Sequence, residues 1–315
     1  MPTPSTPRPK PSPRPGEVLA RADRRVQALQ AVWAARAGRL GALLGAATLG
    51  LWLAGAAPAA QAQLPSGDNP DGSEVWLALR KTLFGDRPIT PARADTLVLE
   101  APLRAVDAAV VPMAIRSRLP QTEQQHVRRL MLVIDSNPSP LGLMVWLTPE
   151  SGRADVETRV RVDAYSYVRA IAEMNDGSLI MAVRYVKASG GCSAPAAGDA
   201  QAALARLGQM RLQVEGVPVT GQPLAVQLQI SHPNHSGMAM DQLSRQFTPA
   251  QFVRQVDVTL AGRPVLSAQV DFSISENPHL RFFVLPGQGG ELLARMVDTD
   301  DLHASASATL TVPAR

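Results

Sequence analysis

One thiol and one cluster of soft donor groups are the residues whose types and spacing could do chemistry. Cys192 is the only cysteine among 315 residues, so an internal disulfide framework or a Cys-rich metal site is excluded. It stands in Ser189-Gly190-Gly191-Cys192-Ser193-Ala194-Pro195, among neighbours too small to pack a thiol and glycines that free the backbone. This setting predicts an exposed Cys192 on a loop hinged at Gly190, Gly191 and Ser193. Such a thiol could hold a covalent cargo, or join a second chain through a disulfide. An ordinary thiol is only a few per cent thiolate at pH 7, which suits a carrier loaded by partners better than a catalytic nucleophile. The second group is His232, His235, Met238 and Met240, two imidazoles and two thioethers close together in sequence. That set would suit copper, or the methionines simply pack on one face of a strand end and turn.

Other chemistry is weakly represented. There is no Gly-Lys-Ser/Thr phosphate loop, CxxCH haem site, HExxH zinc motif or GxSxG elbow, and His126 and His303 have no sequence partner for a nucleophilic triad. An enzyme with its own active site is therefore not expected. Asp298, Asp300 and Asp301 read as a solvated turn rather than a calcium site. Arg153, Arg159, Arg161 and Arg169, beside Glu157, Asp163 and Glu173, read as the exposed face of a sheet.

The elements that must position these residues are mostly strands. Ser73 caps a short helix carrying Trp76, Leu77, Leu83 and Phe84 inward and stopping at Gly85. Apolar or alternating runs follow at 95–100, 109–116, 127–135, 142–148, 156–163, 167–174 and 178–188, with a hairpin turn at Asn175-Asp176-Gly177-Ser178. After the Gly/Cys segment, Asp199 caps an Ala-rich helix over 200–207 closed by Gly208. A second series of strands occupies 209–214, 223–231, 253–260, 264–272, 279–285, 291–298 and 305–312, with a one-turn helix opening at Thr248-Pro249. The expected fold is all-β: two antiparallel β-sandwiches joined by a flexible Gly/Cys loop and a short helix, with a short N-terminal helix. The absence of strand–helix alternation argues against a nucleotide-binding α/β fold.

Several motifs carry a family resemblance. Val183 to Cys192, Ile134 to Pro140 and Thr158 to Val162 resemble SoxY, the sulfur-carrying subunit of bacterial thiosulfate oxidation. His232-Pro233 with Ser236-Gly237, Thr248 to Phe252, and Ser275 to Phe282 resemble its partner SoxZ. Phe84 to Ile89, Ala101-Pro102, Asp107 to Pro112 and Lys187 to Pro195 are similar to fused SoxYZ-like carriers associated with quinoprotein dehydrogenases. The resemblance implies two Ig-like halves, a SoxY-like one over 63–190 and a SoxZ-like one over 208–315, with 191–207 as the Cys-bearing loop and linker helix. It implies a covalent sulfur adduct on Cys192 with no intrinsic cofactor. The implied partners are Sox-type enzymes, a PQQ-dependent dehydrogenase or a c-type cytochrome. Two alternatives stay open: a non-covalent binding or maturation partner of such a dehydrogenase with the thiol incidental, and a copper-binding protein. This chain departs from SoxY in that its cysteine is followed by Ser193-Ala194-Pro195 and a further domain, so the arm is tethered at both ends.

Charge and compartment agree with export. The formal charge is +4, from 31 basic and 27 acidic residues, but residues 1–62 hold eight of the basic and two of the acidic ones. The remaining 23 basic and 25 acidic residues balance at −2, which leaves no basic groove for nucleic acid. Residues 1–62 read as a disordered Pro-rich, basic leader followed by a signal peptide, with Ala60-Gln61-Ala62 as the cleavage signal. Uncleaved, the same apolar run would serve as a membrane anchor. Either topology delivers the rest of the chain to the periplasm.

Overall fold

The computed structural model describes residues 69–195, 200–240 and 245–313. The leader, its cleavage signal and the Asp199 cap lie outside these residues. Among them, no helix is long and apolar enough to cross a membrane.

The described chain begins with helix α1 (Glu74–Phe84). The Ser73 hydroxyl accepts the Trp76 N–H at 3.2 Å, and Gly85, at φ 63°, donates its N–H to the Lys81 carbonyl, so both ends are capped as the sequence indicates. Trp76, Leu79 and Phe84 face inward. Leu77 was expected there and is instead exposed, because it lies about 100° round the helix from Trp76.

Strands then follow in sequence as β1 (Thr90–Pro91), β2 (Leu97–Glu100), β3 (Val111–Ser117), β4 (Val127–Ile134), β5 (Leu141–Leu147), β6 (Val156–Val160), β7 (Ser166–Met174) and β8 (Leu179–Val186). After helix α2 (Ala200–Ala205) come β9 (Met210–Glu215), β10 (Leu224–Ile230), β11 (Val253–Leu260), β12 (Arg263–Val270), β13 (His279–Val284), β14 (Gly290–Asp298) and β15 (His303–Leu310). All fourteen expected strands are present; β1, two residues pairing parallel to β8, is the addition. At 248–250, where a helical turn was expected, the chain is not helical. Its backbone donors go elsewhere, Thr248 N–H to the Ala239 carbonyl at 3.0 Å and Gln251 N–H to that of His235 at 3.1 Å.

The strands form two sheets, β1-β8-β7-β4-β5-β12-β11-β14-β15 and β2-β3-β6-β13-β10-β9. Each half of the chain is thus an Ig-like two-sheet sandwich, as expected. The halves are also sewn together: β5 pairs antiparallel with β12 from Leu147↔Leu266 to Leu143↔Val270, and β6 meets β13 at Glu157↔Arg281. Pairing satisfies edge strands that would otherwise expose unmade hydrogen bonds. One apolar cluster therefore runs through both halves, from Leu97 and Val111 to Met296 and Leu310.

Across the outer face of the six-stranded sheet runs a ladder of alternating charge: Glu100–Arg116 (3.2 Å), Arg116–Glu157 (2.5 Å), Glu157–Arg281 (2.6 Å) and Arg281–Glu215 (2.8 Å). It crosses the seam between the halves at Glu157 and Arg281. On the nine-stranded sheet, every residue of β7 is buried, because the core covers one face and the N-terminal segment covers part of the other. The Arg169 guanidinium is fully buried there, 4.3 Å from the Trp76 ring and paired with Asp135 at 2.6 Å. Arg169, Arg161 and Glu173 were expected on an exposed face and are buried. Long charged side chains are tolerated inside when each meets an opposite charge, carbonyls or a ring.

Candidate functional site

The cysteine segment leaves β8 and runs along the seam. Lys187 N–H donates to the Leu103 carbonyl at 2.8 Å and the Lys187 carbonyl accepts from Ala105 N–H at 3.1 Å, so the strand is continued by the 103–105 loop. Gly190, in the left-handed region at φ 79°, turns the chain inward. Gly190 N–H then donates to the Asp163 carbonyl (2.8 Å), Gly191 N–H to that of Val162 (3.1 Å) and Cys192 N–H to Asp163 Oδ1 (3.3 Å). From the second half, the Ser236 hydroxyl donates to the Cys192 carbonyl at 2.5 Å. The segment is clasped by both halves.

Cys192 has no exposed surface, which corrects the expectation of a thiol held out on a free loop. Of the expected hinge, Gly190 is half-buried and Gly191 buried, and only Ser193 is exposed. The reason lies in Gly191. A Cβ there would stand 2.1 Å from the Ala108 carbonyl oxygen and 2.7 Å from that of Val162. Glycine at this position serves close backbone approach, which docks the loop rather than releasing it.

The thiol's surroundings are polar. Arg161 N–H donates to the Ser273 carbonyl (2.7 Å) and its Nη1 to that of Ile274 (2.9 Å). Asn137 bridges the halves, its Nδ2 donating to the Arg161 carbonyl (2.8 Å) and Ser273 Oγ (3.0 Å), its Oδ1 accepting Asp163 N–H (2.9 Å). Asp271 accepts from Ser273 N–H and the Ser139 hydroxyl, each at 3.0 Å. Burial foremost, with the nearby Asp163 and Asp271 carboxylates, pushes the Cys192 thiol up to about 12, against the opposing pull of Arg161. Burial likewise pushes the Asp271 carboxyl up to about 7. In this arrangement Cys192 is a protonated, sheltered thiol and a poor nucleophile.

Of the copper set, His232 is already engaged by the protein. This imidazole is buried with both ring nitrogens engaged, Nδ1 accepting Asn234 N–H at 3.0 Å and Nε2 lying 3.3 Å from Asp298 Oδ2. Burial lowers its pKa despite Asp298. His235 and Met238 are half-buried, and Met240 is exposed and bridged to Phe247. Among the described residues, no group of three or more His, Cys, Asp or Glu is placed to hold a metal. Asp298 is a buried turn-former rather than a solvated residue, its Oδ1 accepting the N–H groups of Asp300 and Leu302 at 2.8 Å each; Asp300 and Asp301 are exposed. Sequence reasoning missed Asn137, Ser236, Asp271 and Ala108 as the cradle of Cys192. The motifs Asp107 to Pro112 and Ile134 to Pro140 and the Ser236-Gly237 pair were its signals in the sequence.

Comparison with known proteins follows the same division. Residues 80–192 match the family of the sulfur oxidation protein SoxY, and residues 212–309 match that of the sulphur oxidation protein SoxZ. No curated relative matches the sequence. Among solved structures, the chain is similar to the sulfur carrier protein SoxY from Chlorobium limicola f thiosulfatophilum, at 23% identity over 35% of this chain and 89% of that one, TM-score 0.30. It is also similar to superoxide reductase (neelaredoxin) from Ignicoccus hospitalis, at 17% identity over 31% of this chain and 94% of that one, TM-score 0.28. With the SoxY match ending on Cys192 and the SoxZ match covering the second sandwich, the chain carries a SoxY-family domain and a SoxZ-family domain in tandem.

Proposed function

We propose that this protein is a non-catalytic covalent carrier of sulfur intermediates, with Cys192 as the attachment point. One observation carries the reading: the SoxY match ends on the sole cysteine of the chain. The docked segment is then the resting state, with the thiol protonated and shielded. Partner enzymes load the thiol after the 190–193 segment swings out about Gly190. With thiosulfate as cargo, the Cys192 thiol loses its proton and two electrons pass to an acceptor such as a c-type cytochrome. A sulfur–sulfur bond then joins Cys192 to the thiosulfate. The export signal supports a periplasmic setting, and the motifs shared with quinoprotein dehydrogenase-associated carriers support a PQQ-dependent dehydrogenase as an alternative partner.

The test is intact mass after incubation with thiosulfate and the cognate oxidising system. A gain of one thiosulfate unit, absent in Cys192→Ser, is expected. A chain that never gains mass, or a Cys192→Ser chain that supports full activity, would overturn the reading. The complete burial of Cys192 favours a second reading, in which the thiol is structural and the protein binds a dehydrogenase non-covalently. Recovery of the same partner by wild type and Cys192→Ala, with no adduct on the wild type, would select it.

A further inference from the structure

Three guanidinium groups converge on one carboxylate near the C-terminal end of β7. Glu173 Oε1 accepts from Nη2 of Arg87 and of Arg128, each at 2.9 Å, while Arg129 Nη2 lies 2.5 Å from Oε2. The β4–β7 register shifts between Val127 and Arg129, and that irregularity lets two consecutive residues reach one carboxylate. In a regular strand they would point to opposite faces. Arg87 arrives from the segment after α1 and also donates to the Gly177 carbonyl.

The cluster is short of negative charge. Three arginines against Glu173 leave a balance of two positive charges. Asp176, in the adjoining turn, accepts Ser178 N–H at 2.8 Å, and Asp86 is paired with Lys81 at 2.5 Å. Arg129 Nε is buried with no hydrogen-bond partner, an unmet donor of a kind native interiors rarely leave. Burial foremost lowers the Arg129 pKa, with a smaller push from Arg128 and Arg87, and Glu173 does not fully offset the burial. The Arg87 and Arg128 side chains are 38% and 47% exposed, so their remaining N–H groups are open to a ligand.

We propose that Arg87, Arg128 and Arg129 form a binding site for a small divalent oxyanion of the sulfate type. Two negative charges balance the excess, and tetrahedral oxygens supply several acceptors to forked donors. The site lies apart from the cradle of Cys192 and does not depend on how that thiol functions.

The experiment is calorimetric titration of the purified Cys192→Ser chain with sodium sulfate, against sodium chloride at matched ionic strength. Saturable one-site binding of sulfate is expected. Arg87→Gln and Arg128→Gln should each weaken it about tenfold, the loss of one charge-assisted hydrogen bond. Replacing the exposed Arg295 by Gln should leave it unchanged. Sulfate heats indistinguishable from those of chloride would overturn the proposal, as would sulfate binding unaltered in both Arg87→Gln and Arg128→Gln. Circular dichroism of each variant separates loss of binding from loss of fold.

Discussion

Gly191→Ala tests the docked state of the cysteine segment most directly. The added methyl would meet the Ala108 carbonyl oxygen at 2.1 Å and the Val162 carbonyl oxygen at 2.7 Å. These two groups are tied by the Val162 N–H bond to the Ala108 carbonyl at 2.8 Å, so neither can withdraw cheaply. Relief comes from undocking the segment, at the expense of the Gly191 N–H, Cys192 N–H and Ser236 hydroxyl bonds. At about 1 kcal/mol for each bond, the docked state loses about 3 kcal/mol, or about a hundredfold in the opening equilibrium. The assay is the rate of alkylation of the single thiol under native conditions at pH 8. Wild-type Cys192, pushed up to about 12, should react slower than an ordinary thiol by on the order of a thousandfold. Gly191→Ala should recover about a hundredfold of that with its unfolding transition little changed. The pH dependence has a definite sign. The docked state holds its proton more tightly than the free thiol, whose reference value is 9.0, so docking is fully favoured below about pH 9 and weakens towards 12. The wild-type rate should therefore keep rising about tenfold per pH unit above 9, where a free thiol levels off. Wild-type labelling as fast as a small-molecule thiol would refute this account. So would Gly191→Ala labelling at the wild-type rate.

Three further outcomes concern stability. Asp271→Asn should raise the melting temperature by a few degrees at pH 8 and not at pH 3, because a carboxyl pushed up to about 7 disfavours folding once the unfolded chain ionises above about 4. Arg169→Met should cost about 3–5 kcal/mol in urea unfolding, since it leaves Asp135 buried without its partner; a cost below 1 kcal/mol would count against a buried ion pair there. Glu157→Gln should cost about 1–2 kcal/mol at pH 7, as it breaks the charge ladder at the seam. Arg116 and Arg281 hold the Glu157 carboxyl low against the effect of burial, so the stability it adds fades as pH falls and the two chains should converge in acid.

The local pattern of the chain was sufficient for the strands, for the Ser73 and Gly85 ends of α1, and for the Asn175 to Ser178 hairpin. These depend on alternation, caps and turn residues, which act between neighbours in sequence. It also singled out Cys192 as the one thiol. The reach of that thiol was decided by tertiary contacts: glycines compatible with a hinge are equally compatible with close packing, and only the positions of Ala108, Val162 and Ser236 select the second. The burial of Arg161, Arg169 and Glu173 was hidden for a related reason. An alternating charged strand reads as exposed until a helix such as α1, or a second domain, is seen to cover it. The same holds for the seam, where β5 and β12 join the two halves within one sheet across more than a hundred residues of chain. Sequence alone determined most of the elements and the position of the one thiol sulfur atom. Which groups surround that atom, and whether solvent reaches it, depend on contacts between distant segments that only the tertiary structure brings together.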